Sequence, residues 1–359
     1  MKLQQSDHKA FLKFRDAIPT LTTLIIGSLG ALLMGLAGGP VPFLTGPALA
    51  ITLVGLVGVK VQIPVLLRDI CFIIIGISMG AGITPEVLQS AKQWPLSFFV
   101  LTIVVILIVA IGRRALAAIW KYDAMTALLA VIPGHLSYVL GLSSDTRGDL
   151  STISIVQSIR ILALTLIVPI VVVAFGLEST AISQPTLPMP TTEFIAVIAF
   201  SAVMGWFLNR LRLPAAYLIA GLVCSILGHI TGAVAGPVIN YVATPAFVVL
   251  GCLIGTRFSG VSWPQFRNAL GAGLMATFIG VVMAAIGAVI VSSLTDLPLN
   301  QLLIAFSPGG VETMSAMSIS MGVDSTFVAA HHVARLLILT FLAPFLLKSA
   351  QKTKLVKQA

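Results

Sequence analysis

The sequence predicts an all-α polytopic membrane protein of two inverted repeats, each with five crossings and one broken or re-entrant Pro-Gly segment. Three observations carry that expectation. Hydrophobic residues make up 58% of the chain and charged residues 9%, with a mean hydropathy of +1.06, so the chain lacks the polar surface of a soluble domain, which is roughly 25% charged. A shift of 175 residues lays one half on the other without a gap. The fifth apolar stretch of each half also carries a proline followed by a glycine near its middle, as in FSPGGVETM at 306–314.

The spans follow from length. SFFVLTIVVILIVAIG (97–112) and LMATFIGVVMAAIGAVIV (274–291) reach or approach the ~20 apolar residues that cross ~30 Å of hydrocarbon at ~1.5 Å per residue. Neither has the polar face that a long core helix of a soluble protein shows. The amino-terminal MKLQQSDHKAFLKFRDAIPT is polar and basic, without the short apolar core and small-residue cleavage site of a signal peptide, and is expected to be retained. Cys71, Cys224 and Cys252 lie in apolar segments at spacings that fit neither a disulfide framework nor a metal site, so they read as small buried hydrophobes and no cofactor or metal is expected.

In the duplication, Gly76 and Gly80 meet Gly251 and Gly255, Pro133-Gly134 meets Pro308-Gly309, Asp149 meets Asp324, and Arg160 meets Arg335. Six apolar segments per half are expected, near 18–37, 43–60, 64–83, 95–116, 123–142 and 150–176, and near 191–209, 214–232, 238–256, 268–294, 298–320 and 325–347. The resulting organisation is a cytoplasmic tail (1–17), a first repeat (18–176), a polar, proline-rich linker (177–190), a second repeat (191–347) and a basic cytoplasmic tail (348–359).

Proline removes a helical N–H and clashes with the preceding turn, and glycine costs ~1 kcal/mol against alanine, so adjacent breakers split segments 123–143 and 299–320. Charge chooses between a broken crossing helix and a re-entrant hairpin. With both segments re-entrant and the amino terminus cytoplasmic, only Lys92 of the 21 Lys and Arg falls outside and Arg160 and Arg335 are intramembrane; the others lie inside. With twelve crossings, Arg210, Arg212, Arg257 and Arg267 move outside and the linker, free of Lys and Arg, moves inside, against the positive-inside rule. Both termini are cytoplasmic. The net charge of +9 is then a topology signal and needs no nucleic-acid partner.

Backbone cannot be left unpaired in lipid, so a break at membrane depth has to be buried in protein or line a polar cavity. Paired breaks in inverted repeats point to the substrate site of a secondary transporter near the midplane. Arg160 and Arg335 sit ten residues into their segments from opposite sides, with Gln157 and His332 three residues before them on the same helix face. The candidate solute-binding set is Pro133, Gly134, His135, Ser137, Gln157 and Arg160 in the first half and Ser307, Pro308, Gly309, Gly310, Thr313, His332 and Arg335 in the second. Glu312 and His331 are the candidate coupling groups, a carboxylate and an imidazole being the groups that burial and neighbours bring to titrate in the working range. Two structural readings stand beside these: the arginines hydrogen-bond carbonyls freed by the breaks, and Glu312 is a first-turn acid favoured by the helix dipole.

The duplicated unit, with PGH and SPGGVETM in its broken segments followed by QSIRIL and HHVARLL, resembles the AbrB family of inner-membrane proteins, whose duplicated domain extends along nearly the whole chain. The family pattern has Ser-Pro-Gly-Gly in both halves and Gln-x-x-Arg after each. This chain keeps Pro308-Gly309-Gly310 and the Gln157/Arg160 pair, but has Ile132 and His135 around the first Pro-Gly and His332 in place of the second glutamine. Some members are labelled regulators of gene expression and others ammonia monooxygenases. A copper monooxygenase needs a histidine and carboxylate cluster outside the bilayer, and a transcription factor needs a soluble DNA-reading module; the sequence offers neither.

The function expected is that of a secondary-transporter-like inner-membrane protein, not an enzyme, with a midplane site for a small organic anion and proton coupling. The alternative is a membrane sensor that affects gene expression through ligand binding without transport. The expected partners are the lipid bilayer and a small solute, and a homodimer is among the assemblies allowed. The topology is checked with Ser144→Cys and Ser183→Cys, each in a background without the native cysteines, and an impermeant maleimide applied to right-side-out cells. Ser183→Cys is expected to react and Ser144→Cys to be protected; the reverse pattern excludes the inverted arrangement.

Overall fold

The chain has thirteen α-helices among its described residues. The computed structural model describes residues 2–82, 92, 94–134, 148–176, 187–211, 213 and 215–356, the side chains of 2–16 and 351–356 excepted. In order the helices are α1 (Lys2–Leu36), α2 (Pro42–Leu56), α3 (Val65–Gly80), α4 (Trp94–Ile119), α5 (Ala124–Val131) and α6 (Leu150–Ala174), followed by α7 (Thr191–Arg210), α8 (Ala216–Ile230), α9 (Asn240–Thr256), α10 (Trp263–Leu294), α11 (Leu299–Phe306), α12 (Val311–Ser320) and α13 (Ser325–Val356). The start and the end of α11 each follow those of α5 by the 175-residue shift.

Among the described residues six stretches are long and apolar enough to cross a membrane: Ala17–Leu36, α4, α6, α7, α10 and Ser325–Ala350. Helices α2, α8 and α9 are shorter apolar elements. Residue distribution supports a membrane protein, because large apolar side chains such as Leu33, Phe200, Phe278 and Phe341 are exposed while Gln157, Arg160, Glu312, His331, His332 and Arg335 are buried. A soluble protein shows the reverse sorting. The largest departures from the expected segment boundaries are at the two ends of the chain. Helix α1 runs back through the polar amino-terminal stretch to Lys2, across Pro19 at the junction, and α13 runs on through the basic tail to Val356.

Local chemistry starts several of these helices. Asp123 caps α5 by accepting from the N–H groups of Met125 and Thr126. Asp149 caps α6 in the same way, accepting from Ser151 and Thr152, and its mate Asp324 accepts from Thr326 and Phe327 at the head of α13. The Thr152 hydroxyl, which also donates to Asp149, holds that carboxyl below its ordinary range, whereas burial pushes Asp324 up. Ser262 and Gln265 form a capping box on α10.

Packing exchanges partners between the halves. Helix α3 lies on α8 and α9 lies on α2, α1 packs on α2 and α7 on α8, and α10 runs against both α4 and α6. The close approaches use glycine. A Cβ on Gly221 would sit 2.5 Å from the Ile73 carbonyl oxygen of α3, and one on Gly251 would sit 2.5 Å from the Leu44 carbonyl oxygen of α2. Gly80 on α3 and Gly255, one turn beyond Gly251 on α9, are similarly covered, their Cβ positions falling 2.6 Å from the Cβ atoms of Ser225 and Ile51. Small residues at this spacing let helix backbones meet, and without a hydrophobic drive inside lipid that contact supplies much of the association energy.

Gly221→Val is therefore expected to destabilise the protein by about 1–3 kcal/mol, the usual cost of overpacking. Gly35→Ala is the control, because its Cβ would find Pro42 at 3.7 Å, an ordinary contact. Thermal unfolding of the two purified variants, followed by size-exclusion chromatography, should show loss only for the first.

Candidate functional site

The two helix breaks have the same local cause and the same local shape. The residue before a proline is pushed out of the α region, and Ile132 and Ser307 leave their helices at φ −50°, ψ 119° and φ −54°, ψ 132°. Each proline then sits in a three-residue turn, closed by Gly134 N–H donating to the Ile132 carbonyl at 2.9 Å and Gly309 N–H donating to the Ser307 carbonyl at 2.8 Å. After the second break the chain resumes as α12, with Gly310 at its N-cap. The continuation of the first break, including His135 and Ser137, lies outside the described residues.

Breaking a helix frees carbonyls, and the arginines take them. Arg160 donates through Nη1 to the carbonyls of Val131 at 3.0 Å and Ile132 at 3.2 Å, and through Nη2 to Gln157 Oε1 at 2.5 Å. Gln157 Nε2 donates to the carbonyls of Leu129 at 2.8 Å and Ile132 at 3.0 Å. Leu129 needs that donor because its helical partner would be the nitrogen of Pro133, which has no hydrogen. In the second half Arg335 donates through Nη1 to Ser307 O at 2.6 Å, and through Nη2 to Gly309 O at 2.5 Å and His332 Nδ1 at 2.6 Å.

Since a guanidinium only donates, His332 Nδ1 accepts and the ring proton sits on Nε2. That Nε2 addresses the Ile304 carbonyl, the counterpart of Leu129, but falls short of hydrogen-bond geometry. Histidine is a shorter reach than glutamine, and the second staple lacks the two carbonyl bonds that Gln157 Nε2 makes in the first. Both arginine Nε atoms are buried without a partner.

Small residues seat the breaks on the long helices. Gly280 of α10 carries Pro308, whose Cγ would lie 2.5 Å from an added Cβ, and Gly287 carries Phe306. Gly112 of α4 carries Val131 in the matching place. A narrow apolar crevice lined by Ile167, Val168 and Val172 of α6, Val281 and Ala284 of α10 and Leu303 of α11 ends at Ser307.

Around the second break the interior is polar. Glu312 and Thr313 in the first turn of α12 are 6% and 3% exposed, and Ser158 and Ser315 are buried with hydroxyls that meet no partner. Arg257, the C-cap of α9, completes the cluster: its charge interacts with those of Glu312 and Arg160, and Arg160 interacts in turn with Arg335. Arg68 and Asp69 form an ion pair at 2.7 Å near the surface.

His331 faces elsewhere. Its Nδ1–H donates to the Phe327 carbonyl at 2.8 Å, and its Nε2 lies 2.6 Å from Ser97 Oγ, whose hydroxyl also reaches the Trp94 carbonyl at 2.8 Å. Phe327 and Phe98 flank the ring at centroid distances of 3.9 and 4.4 Å, with Trp94 and Phe306 beyond. The structure thus gathers Gln157 and Arg160 on the first break and Ser307, Pro308, Gly309, Gly310, Thr313, Glu312, His332 and Arg335 on or beside the second, and puts His331 in an aromatic cage of its own. Sequence reasoning missed Arg257, Ser97, Ser158 and Ser315. Arg257 was counted among the loop arginines that set topology; its one distinguishing signal is its place directly after the close-packed Gly251-x-x-x-Gly255 stretch.

The fold and this interior define a helical membrane protein with paired, arginine-stapled breaks. The model of the family described as Transition state regulatory protein AbrB matches residues 43–351, and the chain belongs to the AbrB family. It is 28% identical over 294 residues to the uncharacterized protein YhjN of Bacillus subtilis (strain 168), across 76% of each chain. It is 20% identical over 309 residues to AbrB of Escherichia coli (strain K12), named as a candidate regulator, across 85% of this chain and 88% of that one.

Leaving a buried carbonyl without a donor costs about 1–3 kcal/mol. Arg160→Leu removes the donor of the Val131 carbonyl and of Gln157 Oε1 at once, while the Ile132 carbonyl keeps Gln157 and Gly134, and is expected to lose about 3 kcal/mol of stability, read as an early thermal transition. Arg160→Lys should recover part of it, since an ammonium cannot span the same three acceptors as a planar fork. A wild-type transition in Arg160→Leu would remove the staple from the account of the fold.

Proposed function

We propose that this protein is a secondary carrier of a small organic anion in the bacterial inner membrane, driven by the proton gradient. In this reading the two halves are inverted repeats of five crossings, both Pro-Gly segments are re-entrant, and the solute binds between them near the midplane. The observation that carries the reading is the buried surplus of positive charge at the paired breaks. Arg160 and Arg335 are both 2% exposed there, Arg257, half-buried, has its Nη1 buried at the end of a helix packed on α6 and α12, and Glu312 on α12 is a buried acid. Arginine in a membrane interior costs at least ~2.5–3.5 kcal/mol, and such residues are retained where they serve a ligand or ion path.

Supporting considerations are the matched positions of the breaks, which in carriers lie at the substrate site, and the sorting of Lys and Arg to one side under the five-crossing arrangement. The first-turn N–H groups of α12 also favour an anion. The chain has no G-x-x-x-x-G-K-[ST] loop, so the carrier draws on an ion gradient rather than on ATP. Glu312 is the coupling carboxylate. No catalysis and no nucleic-acid partner belong to this reading.

A second reading follows from the name of the Escherichia coli relative, a candidate regulator. In it the same interior binds a ligand and reports it without moving it. Proteoliposomes separate the two, with a set of radiolabelled mono- and dicarboxylates as solutes. The carrier reading expects counterflow of at least one solute without a gradient, retained in Glu312→Gln, together with proton-driven accumulation that this variant loses. Binding without flux supports the sensor, and accumulation that persists in Glu312→Gln removes this residue from coupling.

A further inference from the structure

Arg257 is the arginine that the staples leave unexplained. Both terminal nitrogens of Arg160 and of Arg335 already have acceptors, in the break carbonyls and in Gln157 or His332. Arg257 has its Nη1 buried and without a hydrogen-bond partner. A basic residue at a helix C-terminus normally earns its place by meeting the last carbonyls or the dipole, and that role would not bury a terminal nitrogen with nothing to bind. A buried donor without an acceptor is costly, so this nitrogen is available to a ligand. Helix α9 packs against α12, whose Glu312 interacts with Arg257 through its charge, and the Oε2 of Glu312 folds back over Gly310 at the head of α12.

Resting on the anion-carrier reading, we propose that Arg257 is the residue that holds the solute's anionic group, and that Glu312 is the internal anion competing with the solute for it. An ionised Glu312 and a bound carboxylate would place two negative charges beside one guanidinium. A proton taken from solution onto Glu312 removes that repulsion and frees Arg257 for the solute. Linkage makes the effect reciprocal: the proton raises anion affinity by the factor by which the anion raises proton affinity. A monocarboxylate then enters with one proton, and the pair adds no net charge to the site.

The elements packed against α12 carry several charged or titratable groups. Arg257 stands at the end of α9, Arg160 on α6, and Arg335 and His332 on α13. Helix α11 contributes no titratable group, and on α3 the charged residues Arg68 and Asp69 are paired with each other. Arg160 and Arg335 keep their charge near the site while bound to backbone, which favours an anion there without either of them binding it directly.

The test uses purified full-length protein in nanodiscs, with acetate, succinate and sulfate as probes between about pH 6.5 and about pH 8, where the probes are ionised. Binding is followed by calorimetry and proton uptake in weak buffer. At least one probe is expected to bind wild type with proton uptake, and to bind about tenfold more tightly at the lower pH. In Glu312→Gln the same probe should bind at both pH values equally and without proton uptake. Arg257→Gln should lose binding, and Arg257→Lys should keep part of it. Undiminished binding in Arg257→Gln overturns the anchor and leaves the carrier reading standing. A pH dependence unchanged in Glu312→Gln overturns the competition, and this arm decides alone if Arg257→Gln does not fold. Failure of wild type to bind any probe overturns the anion reading beneath both.

Discussion

Every part of this protein's interior depends on one constraint, that a backbone carbonyl released inside a membrane has no water to turn to. The prolines at 133 and 308 create the problem by lacking an N–H and by expelling Ile132 and Ser307 from helical geometry. The guanidinium of arginine solves it because its donors lie in a fixed planar fork that reaches two or three acceptors at once. Arg160 with Gln157, and Arg335 with His332, are thus the price of the breaks. The benefit is a polar backbone surface at a depth where an unbroken helix would offer only side chains.

This solution imposes a second constraint on packing. The arginines arrive on α6 and α13, so those helices have to lie against the short helices they staple, and α10 and α4 have to let the breaks approach closely. Glycines 280, 287 and 112 provide the room. Further out, glycines 221 and 251 bring α8 onto α3 and α9 onto α2, so that elements of one half are buried by elements of the other. The scaffold is therefore interlocked, and neither half presents a complete interior alone.

Electrostatics explains why the interior is poised rather than inert. Three guanidinium groups near one another repel, and hydrogen bonds to carbonyls lower that cost without neutralising it. Glu312 offsets part of the charge. His331, although adjacent in sequence to His332, escapes this field by turning into a cage of Phe98 and Phe327 with Ser97 at its ring nitrogen. Neighbours in sequence on a helix point about 100° apart, and here that rotation separates a backbone staple from an aromatic-caged imidazole.

Much was legible in the sequence because it depends on local chemistry or on composition. Apolar runs, Pro-Gly pairs, the 175-residue shift and the spacing of Gln157 to Arg160 and His332 to Arg335 are all one-dimensional properties. They sufficed for an all-helical membrane class, for family membership, and for the location of the second break between Phe306 and Val311. What tertiary structure decided is which donors meet which acceptors. That both arginines bind carbonyls was one of two open readings, since spacing along a helix says nothing of what faces it. Arg257 looked like any basic residue at the end of an apolar segment, and only the packing of α9 against α12 brings its charge to Glu312. Charge and burial are properties of neighbours in space, and the sequence orders neighbours only along the chain.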